Sequence, residues 1–222
     1  MIDVDPHIVA LRDRIDVVYR LIDRTHPGTG ASDDISREAR GLTIVLLYAA
    51  YENLLTSLTR TLLEKANRSG VSNRRLQPNF RMFAVANFAQ SFRDDPEKRL
   101  YSGALRQLVE VANKEGRGNT IDSNHFPKGG DFMKITQIRH WSEIFAIGDP
   151  SRILHRTWQS IDGVVSGRNG IAHGQLTPQD VGRSITELEI RQLANNWLLD
   201  WTDFLRHVAL LTANRDFFRL PR

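Results

Sequence analysis

From about Ile35 to Asn67 the chain reads as one long helix whose apolar residues do not keep to a single face. Leu42, Ile44, Val45, Leu46, Leu47, Tyr48 and Tyr51 cover more than one side of it. Such a helix has to be wrapped by other elements rather than laid on a surface, so it belongs at the centre of the fold. Glu52 and Asn53 interrupt the apolar tract. A carboxylate there is costly unless it is paired, so Glu52 needs a partner such as an arginine or a hydroxyl.

The neighbouring segments supply the wrapping. Ile8, Leu11, Ile15, Val18 and Ile22 recur at helical spacing over residues 5–25. His26-Pro27-Gly28-Thr29-Gly30 breaks that helix, and Ser32-Asp33-Asp34 offers caps for the central one. Residues 68–134 are less regular, punctuated by Ser69-Gly70, Pro78, Asp94-Asp95-Pro96, Gly116 to Asn119, Pro127 and Gly129-Gly130. Helices over about 79–92 and 97–114 fit between the breaks, with a loop over 115–131. A short helix at about 134–146 follows, then one opened by Asp149-Pro150-Ser151 and closed by Gly174, and Thr177-Pro178 reads as a turn. Ser184 to Thr186 caps a last helix of about 186–213, whose Leu188, Leu193, Trp197, Trp201, Phe204, Leu205 and Val208 form a broad apolar face, read as core with part available to a dimer surface. No strand pattern of convincing length and no repeat is present, so the fold class is all-α, with residues 1–222 as one domain and 70–131 as a basic, loop-rich insertion between the early helices and the one that ends at Gly174.

Composition narrows the chemistry. With 222 residues, 41% of them hydrophobic and 25% charged, a chain of this kind forms a real core. The absence of cysteine excludes disulfides, zinc-thiolate sites and thiol nucleophiles. There is no charged-then-apolar leader, and the most apolar run, Leu42 to Leu47, is far shorter than the ~20 residues of a membrane helix. The expectation is a cytoplasmic protein that does not span a membrane. The net charge of +4 hides an asymmetry: residues 1–66 carry 8 Lys/Arg against 10 Asp/Glu, 67–140 carry 13 against 7, and 141–222 carry 9 against 9. The basic middle third fits a polyanion-binding surface or a solvated loop region. His7, His26, His125, His140, His155 and His207 show no metal-binding spacing and read as surface or rim residues. The glycine-rich turns match neither a P-loop nor a dinucleotide fingerprint, and Val164-Val165-Ser166-Gly167 is not a nucleophile elbow. No metal and no cofactor is expected.

The polar residues with chemical potential collect in Arg168-Asn169-Gly170-Ile171-Ala172-His173-Gly174. By spacing alone these are first a helix terminus: cations near the last turn, then a glycine suited to left-handed geometry. They also resemble the motif of the HEPN superfamily of all-helical ribonucleases, in which Arg is followed by a polar residue and, after four intervening positions, by His. Within it the chain most resembles the RiboL-PSP-HEPN type branch of prokaryotic defence and toxin systems. The likeness extends upstream through Ser123-Asn124, Ile135, Ile138, Ile144-Phe145 and Ile147-Gly148-Asp149, downstream through Ser184-Ile185-Thr186, and over most of 35–215.

The resemblance implies a HEPN-like helical bundle and a metal-independent endoribonuclease that leaves 2′,3′-cyclic phosphate and 5′-hydroxyl ends. His173 would move protons, Arg168 would clamp the phosphate, Asn169 would orient them, and Glu52, on the helix facing the motif, would position Arg168. It further implies an RNA substrate, a homodimer in which two motifs share one cleft, and a toxin or antiphage effector paired with an antitoxin or defence-system protein. The alternatives are a silent module that binds RNA or nucleotide, and an interaction protein in which Arg168 and His173 only cap a helix.

Overall fold

The computed structural model describes residues 1–26, 33–91, 103–124 and 133–221. Eight α-helices run through them: α1 (Asp5–Thr25), α2 (Asp34–Arg68), α3 (Pro78–Ser91), α4 (Ala104–Ala112), α5 (Ile135–Ile144), α6 (Ile161–Ala172), α7 (Pro178–Arg183) and α8 (Glu187–Ala213). Among the described residues no strand forms, and one isolated bridge joins Leu76 to Arg219. The protein is all-α.

Helix α2 is the axis of the bundle. Asp33 caps it, accepting from the Ser36 amide at 2.7 Å, and the chain then runs 35 residues without a break. It buries residues on every side, with Leu47, Tyr51, Leu58 and Leu62 fully enclosed. Against it α1 packs the five residues its periodicity singles out, Ile8, Leu11, Ile15, Val18 and Ile22. Helix α8 brings the tryptophans: Tyr51 stacks on Trp201 with ring centres 5.5 Å apart and meets Trp197 edge-on at 5.3 Å. The Trp face is core. Leu188, counted with that face by spacing, instead stands 74% exposed at the start of α8. By length and composition α2 could also cross a membrane, because its apolar character runs well beyond Leu42 to Leu47. In this fold α1, α6, α7 and α8 cover it.

The region 70–131 holds α3, α4 and an irregular return over 113–124. Asn73 and Asn119 tie that return to the bundle. The Asn73 side-chain amide donates to the Val111 carbonyl at 2.7 Å and its Oδ1 accepts from the Thr120 amide at 3.0 Å, while Asn119 donates to the Ala66 carbonyl at 3.0 Å. Asp94-Asp95-Pro96 and the expected helix start near 97, together with His125, Pro127, Gly129-Gly130 and the end of the loop, lie outside the described residues.

Two local expectations need correction. The helix ending at Gly174 opens at Ile161, not at Ser151. Asp149 and Pro150 start only a 3-10 turn, Pro150–Arg152, and a second one spans Trp158–Ser160. The cause is distant in sequence. Asp200 of α8, fully buried, accepts from the amide and hydroxyl of Thr157, both at 2.8 Å, and from Arg156 at 2.7 Å. The Thr157 amide is shared between Asp200 and the Leu154 carbonyl three residues back, at 3.2 Å, so the chain here stays in short 3-10 turns and regular helix starts only after it.

Thr177-Pro178, read as a turn, begins α7 instead. The Thr177 hydroxyl accepts from the Asp180 amide, the Asp180 carboxylate accepts in return from Thr177, and Pro178 occupies the first helical position. This short helix presses on α2 backbone to backbone. A Cβ added to Gly41 would fall 1.9 Å from the Pro178 carbonyl oxygen, and one added to Gly182 would fall 1.8 Å from that of Arg37. Buried Arg40 ties the crossing, donating through Nε to the Gly182 carbonyl at 3.1 Å and hydrogen bonding through a terminal nitrogen to the His26 ring at 3.0 Å.

Candidate functional site

Helix α6 packs on α2 beside α7. Gly167 makes this fit: a Cβ there would come within 3.2 Å of Ile44 and 3.3 Å of Val181. The helix ends in a Schellman cap, with Gly174 at φ +68°, its amide bonded to the Ile171 carbonyl and the Gln175 amide bonded to the Gly170 carbonyl. Leu176 then folds over Gly170, where a Cβ would meet its side chain at 2.8 Å. The helix-terminus reading therefore accounts for Gly174.

It does not account for Arg168. The guanidinium carbon of Arg168 sits 4.3 Å from the ring centre of Tyr48 on α2, and one terminal nitrogen donates to Asn169 Oδ1 at 3.0 Å. The side chain is thus directed at α2 rather than at the carbonyls that close α6. A cation over a tyrosine face is held by about 0.5–2 kcal/mol, more as water is excluded, and Tyr48 is only 4% exposed. The Tyr48 hydroxyl in turn reaches Glu52 at 3.4 Å, one helical turn further on. Burial raises the Tyr48 pKa, the Glu52 carboxylate raises it further, and Arg168 opposes both. Tyr48 therefore stays a neutral phenol, able to face a cation and donate to a carboxylate.

The geometry redraws the expected relation between Glu52 and Arg168. Among the described residues the two form no ion pair, and the partner of Glu52 is a hydroxyl, that of Tyr48. Glu52, Tyr48, Arg168 and Asn169 follow one another in a line, with Tyr48 between the carboxylate and the guanidinium. Sequence reading placed Tyr48 only among the apolar core residues. The signal was available: Tyr48 and Glu52 are four apart and must share a helix face.

His173 is the residue that caps α6, at φ −92° and ψ 5°. Its amide bonds to the Asn169 carbonyl at 3.0 Å and its side chain is exposed. Five residues from Arg168, it lies roughly 140° further round the helix axis, and no hydrogen bond joins its ring to Arg168 or Asn169. The fold thus brings Arg168, Asn169, Tyr48 and Glu52 together and leaves the imidazole of His173 open to an incoming molecule at the end of the same helix. A fixed cation and an accessible imidazole at the end of one helix can bind an anion and exchange a proton with it.

Among the other described histidines, His140 and His155 are exposed, as expected of surface residues, whereas His7 and His207 are more engaged. His7 is half-buried between Ser57 and Thr61, 3.1 Å from each hydroxyl, and burial lowers its pKa while Asp3 partly offsets this. His207 hydrogen bonds to the Ile147 carbonyl at 3.1 Å. Among the described residues no group of three or more histidine, aspartate or glutamate side chains is gathered as a metal site.

Comparison with known proteins adds one positive result. No curated protein and no solved structure gives a significant match. A family model does match, over residues 20–209, which takes in the end of α1, all of α2 to α7 and most of α8; its description, HEPN_MAE_28990/-like HEPN, names the superfamily that the motif resembles, though not the branch. With an all-helical bundle around α2 and a matched segment covering most of its length, the chain belongs to the HEPN_MAE_28990/-like HEPN family.

Proposed function

We propose that the protein is an endoribonuclease that cuts RNA without a metal, leaving 2′,3′-cyclic phosphate and 5′-hydroxyl ends. The observation that carries this reading is the hold on Arg168: a cation fixed by Tyr48 and Asn169, on the helix that exposed His173 caps. HEPN domains are typically ribonucleases, and membership in the family supports that class of reaction.

In the reaction the RNA 2′-hydroxyl attacks the adjacent phosphorus and the bond to the 5′ oxygen breaks. A proton has to leave the 2′ oxygen and another has to reach the 5′ oxygen, while negative charge grows on the non-bridging oxygens. His173 serves as the proton-transfer group, since an imidazole can give and take a proton near neutral pH. Arg168 neutralises the phosphate with its planar fork, and charge-assisted donors of this kind are among the largest contributors to such transition states. Asn169 orients the guanidinium, and Glu52 acts on Arg168 through Tyr48.

One imidazole cannot be base and acid in the same step. Two chains whose motifs face one cleft supply both, so the active species is a homodimer. Exposed Leu42 on α2 and Leu176 just past the motif, 39% and 44% accessible, lie on the elements that hold the motif and offer apolar surface for that contact. An unrestrained enzyme of this kind would damage the RNA of its own cell, which fits a toxin or antiphage effector kept inactive by an antitoxin or defence-system partner protein.

Incubating purified protein with mixed single-stranded RNA and tRNA in excess EDTA tests the reading, with His173→Ala and Arg168→Ala beside the wild type. Cleavage with cyclic-phosphate ends by the wild type alone, from a species of twice the chain mass, is the expected result. RNA binding without cleavage would replace it with a silent binding module. Neither binding nor cleavage, with variants that are only less stable, would return the motif to a helix cap.

A further inference from the structure

The far end of α2 holds a cavity of about 400 Å³ between the last turns of α2 and α8 and the segment that follows α8. Four of its lining residues are cationic, Lys65, Arg68, Arg215 and Arg219, and none is acidic. Arg68 shares Glu64 at 3.3 Å in an exposed pair. Among the described residues Lys65, Arg215 and Arg219 have no ion-pair partner. Part of this charge has an ordinary reason: α2 and α8 both end here, at Arg68 and Ala213, and cations offset helix C-termini. Two such ends carry about one negative charge between them. With Glu64 offsetting one of the four, the cations exceed that by about two, in a chain whose whole net charge is +4.

We infer that this cavity is a second RNA site, which takes the phosphodiester backbone away from the motif and anchors the substrate there. The inference rests on the nuclease reading for the identity of the polymer. A cradle for a small anion would hold buried donors aimed at one point, whereas Lys65, Arg68 and Arg215 are exposed and borne on long flexible stems. That arrangement suits a chain of phosphates met one after another, with affinity gained by counterion release. The path is open as well: Thr56, Arg60, Glu64 and Arg68 follow at four-residue spacing along α2, exposed or half-exposed throughout.

Helix geometry fixes the distance. Seventeen residues separate Tyr48, under Arg168, from Lys65, which is about 25 Å at 1.5 Å per residue. A stacked strand rises about 3.4 Å per nucleotide, so roughly eight nucleotides reach from one site to the other. Substrates shorter than that engage the motif alone.

The test uses Lys65→Gln/Arg215→Gln/Arg219→Gln, in the full chain and in a His173→Ala background for binding. Fluorescence anisotropy with a single-stranded RNA of about 30 nucleotides, read against salt, should show the slope of log affinity reduced by roughly two, from about 0.7 per phosphate contact for three contacts. In cleavage, KM for the long RNA should rise roughly tenfold or more at unchanged kcat, and a six-nucleotide substrate should be cut as by the wild type. An unchanged slope and an unchanged KM for the long RNA overturn the inference even if the protein is a nuclease. A reduced slope in a protein that cuts nothing sustains the anchor and overturns the nuclease reading instead.

Discussion

The guanidinium carbon of Arg168 lies 4.3 Å from the ring centre of Tyr48, and the hydroxyl of that ring points to Glu52 at 3.4 Å. The ring holds the cation, so the ring and its hydroxyl separate by mutation. Tyr48→Phe keeps the aromatic face and should retain most activity. Tyr48→Leu removes the face and should lower kcat by about 2- to 30-fold, the equivalent of about 0.5–2 kcal/mol. Ring-current shifts of the Arg168 side-chain protons, read by NMR, should persist in the first variant and vanish in the second. Equal losses in both would mean that the hydroxyl, not the ring, positions Arg168.

The crossing of α7 over α2 leaves no room for a methyl group. Gly182→Ala would set a Cβ 1.8 Å from the Arg37 carbonyl oxygen, and backbone cannot swing aside as a side chain can. Overpacking of this kind costs about 1–3 kcal/mol or more. For a chain of this size that lowers Tm by roughly 2–4 °C per kcal/mol, measured by thermal melting. Gly163→Ala, with nothing within 4 Å of its Cβ, is the control and should melt as the wild type does or slightly higher.

Asp200 is fully buried and accepts from Arg156 and from both donors of Thr157. Asp200→Ala strands the buried Thr157 hydroxyl and leaves its amide only the longer bond to the Leu154 carbonyl, at about 1–3 kcal/mol of stability. Asp200→Asn keeps one acceptor oxygen and should fall between the two. Chemical denaturation measures both. A loss below about 0.5 kcal/mol in the alanine variant would mean that water replaces the carboxylate at no cost.

His7 links stability to pH. Burial sets its folded pKa below 6.5, the ordinary value that it recovers on unfolding. Between the two values the unfolded chain binds the extra proton. The stabilisation is present above about 6.5 and is lost as the pH falls through the folded value. Melting temperatures of the wild type should therefore drop on acidification from about pH 7 to 5. His7→Gln should flatten that drop, and parallel curves would rule the residue out as its cause.

Much of the fold was legible where the information is local. The periodicity of Ile8 to Ile22 names the buried face of α1, and the all-round apolarity of 35–67 marks α2 as the axis. Thr186 and Glu189 make a reciprocal cap that sets the start of α8. What failed was non-local or too short to show a period. The start of α6 depends on Asp200, some 43 positions from Thr157, and no window around Asp149-Pro150-Ser151 contains it. Helix α7 has six residues, and its proline outweighed the Thr177 and Asp180 cap beside it. At the site, Arg168, Asn169 and His173 stood out by type and spacing. Tyr48 did not, because a tyrosine in an apolar tract is indistinguishable from core until the cation over its face is seen.

The Schellman cap at Gly174 and the glycine crossing of α7 over α2 have a joint mechanical effect on His173. Only residues 174–176 separate its position from the capping threonine of α7, and both ends of that stretch are fixed by backbone hydrogen bonds or backbone contact. The main chain at His173 has no slack to swing toward or away from a bound molecule. Its imidazole keeps two torsions, about Cα–Cβ and Cβ–Cγ, and staggered wells govern the first. The ring's reach is therefore a small set of discrete arcs about a stationary Cα, and an occupant of the site must come to the histidine rather than draw it in.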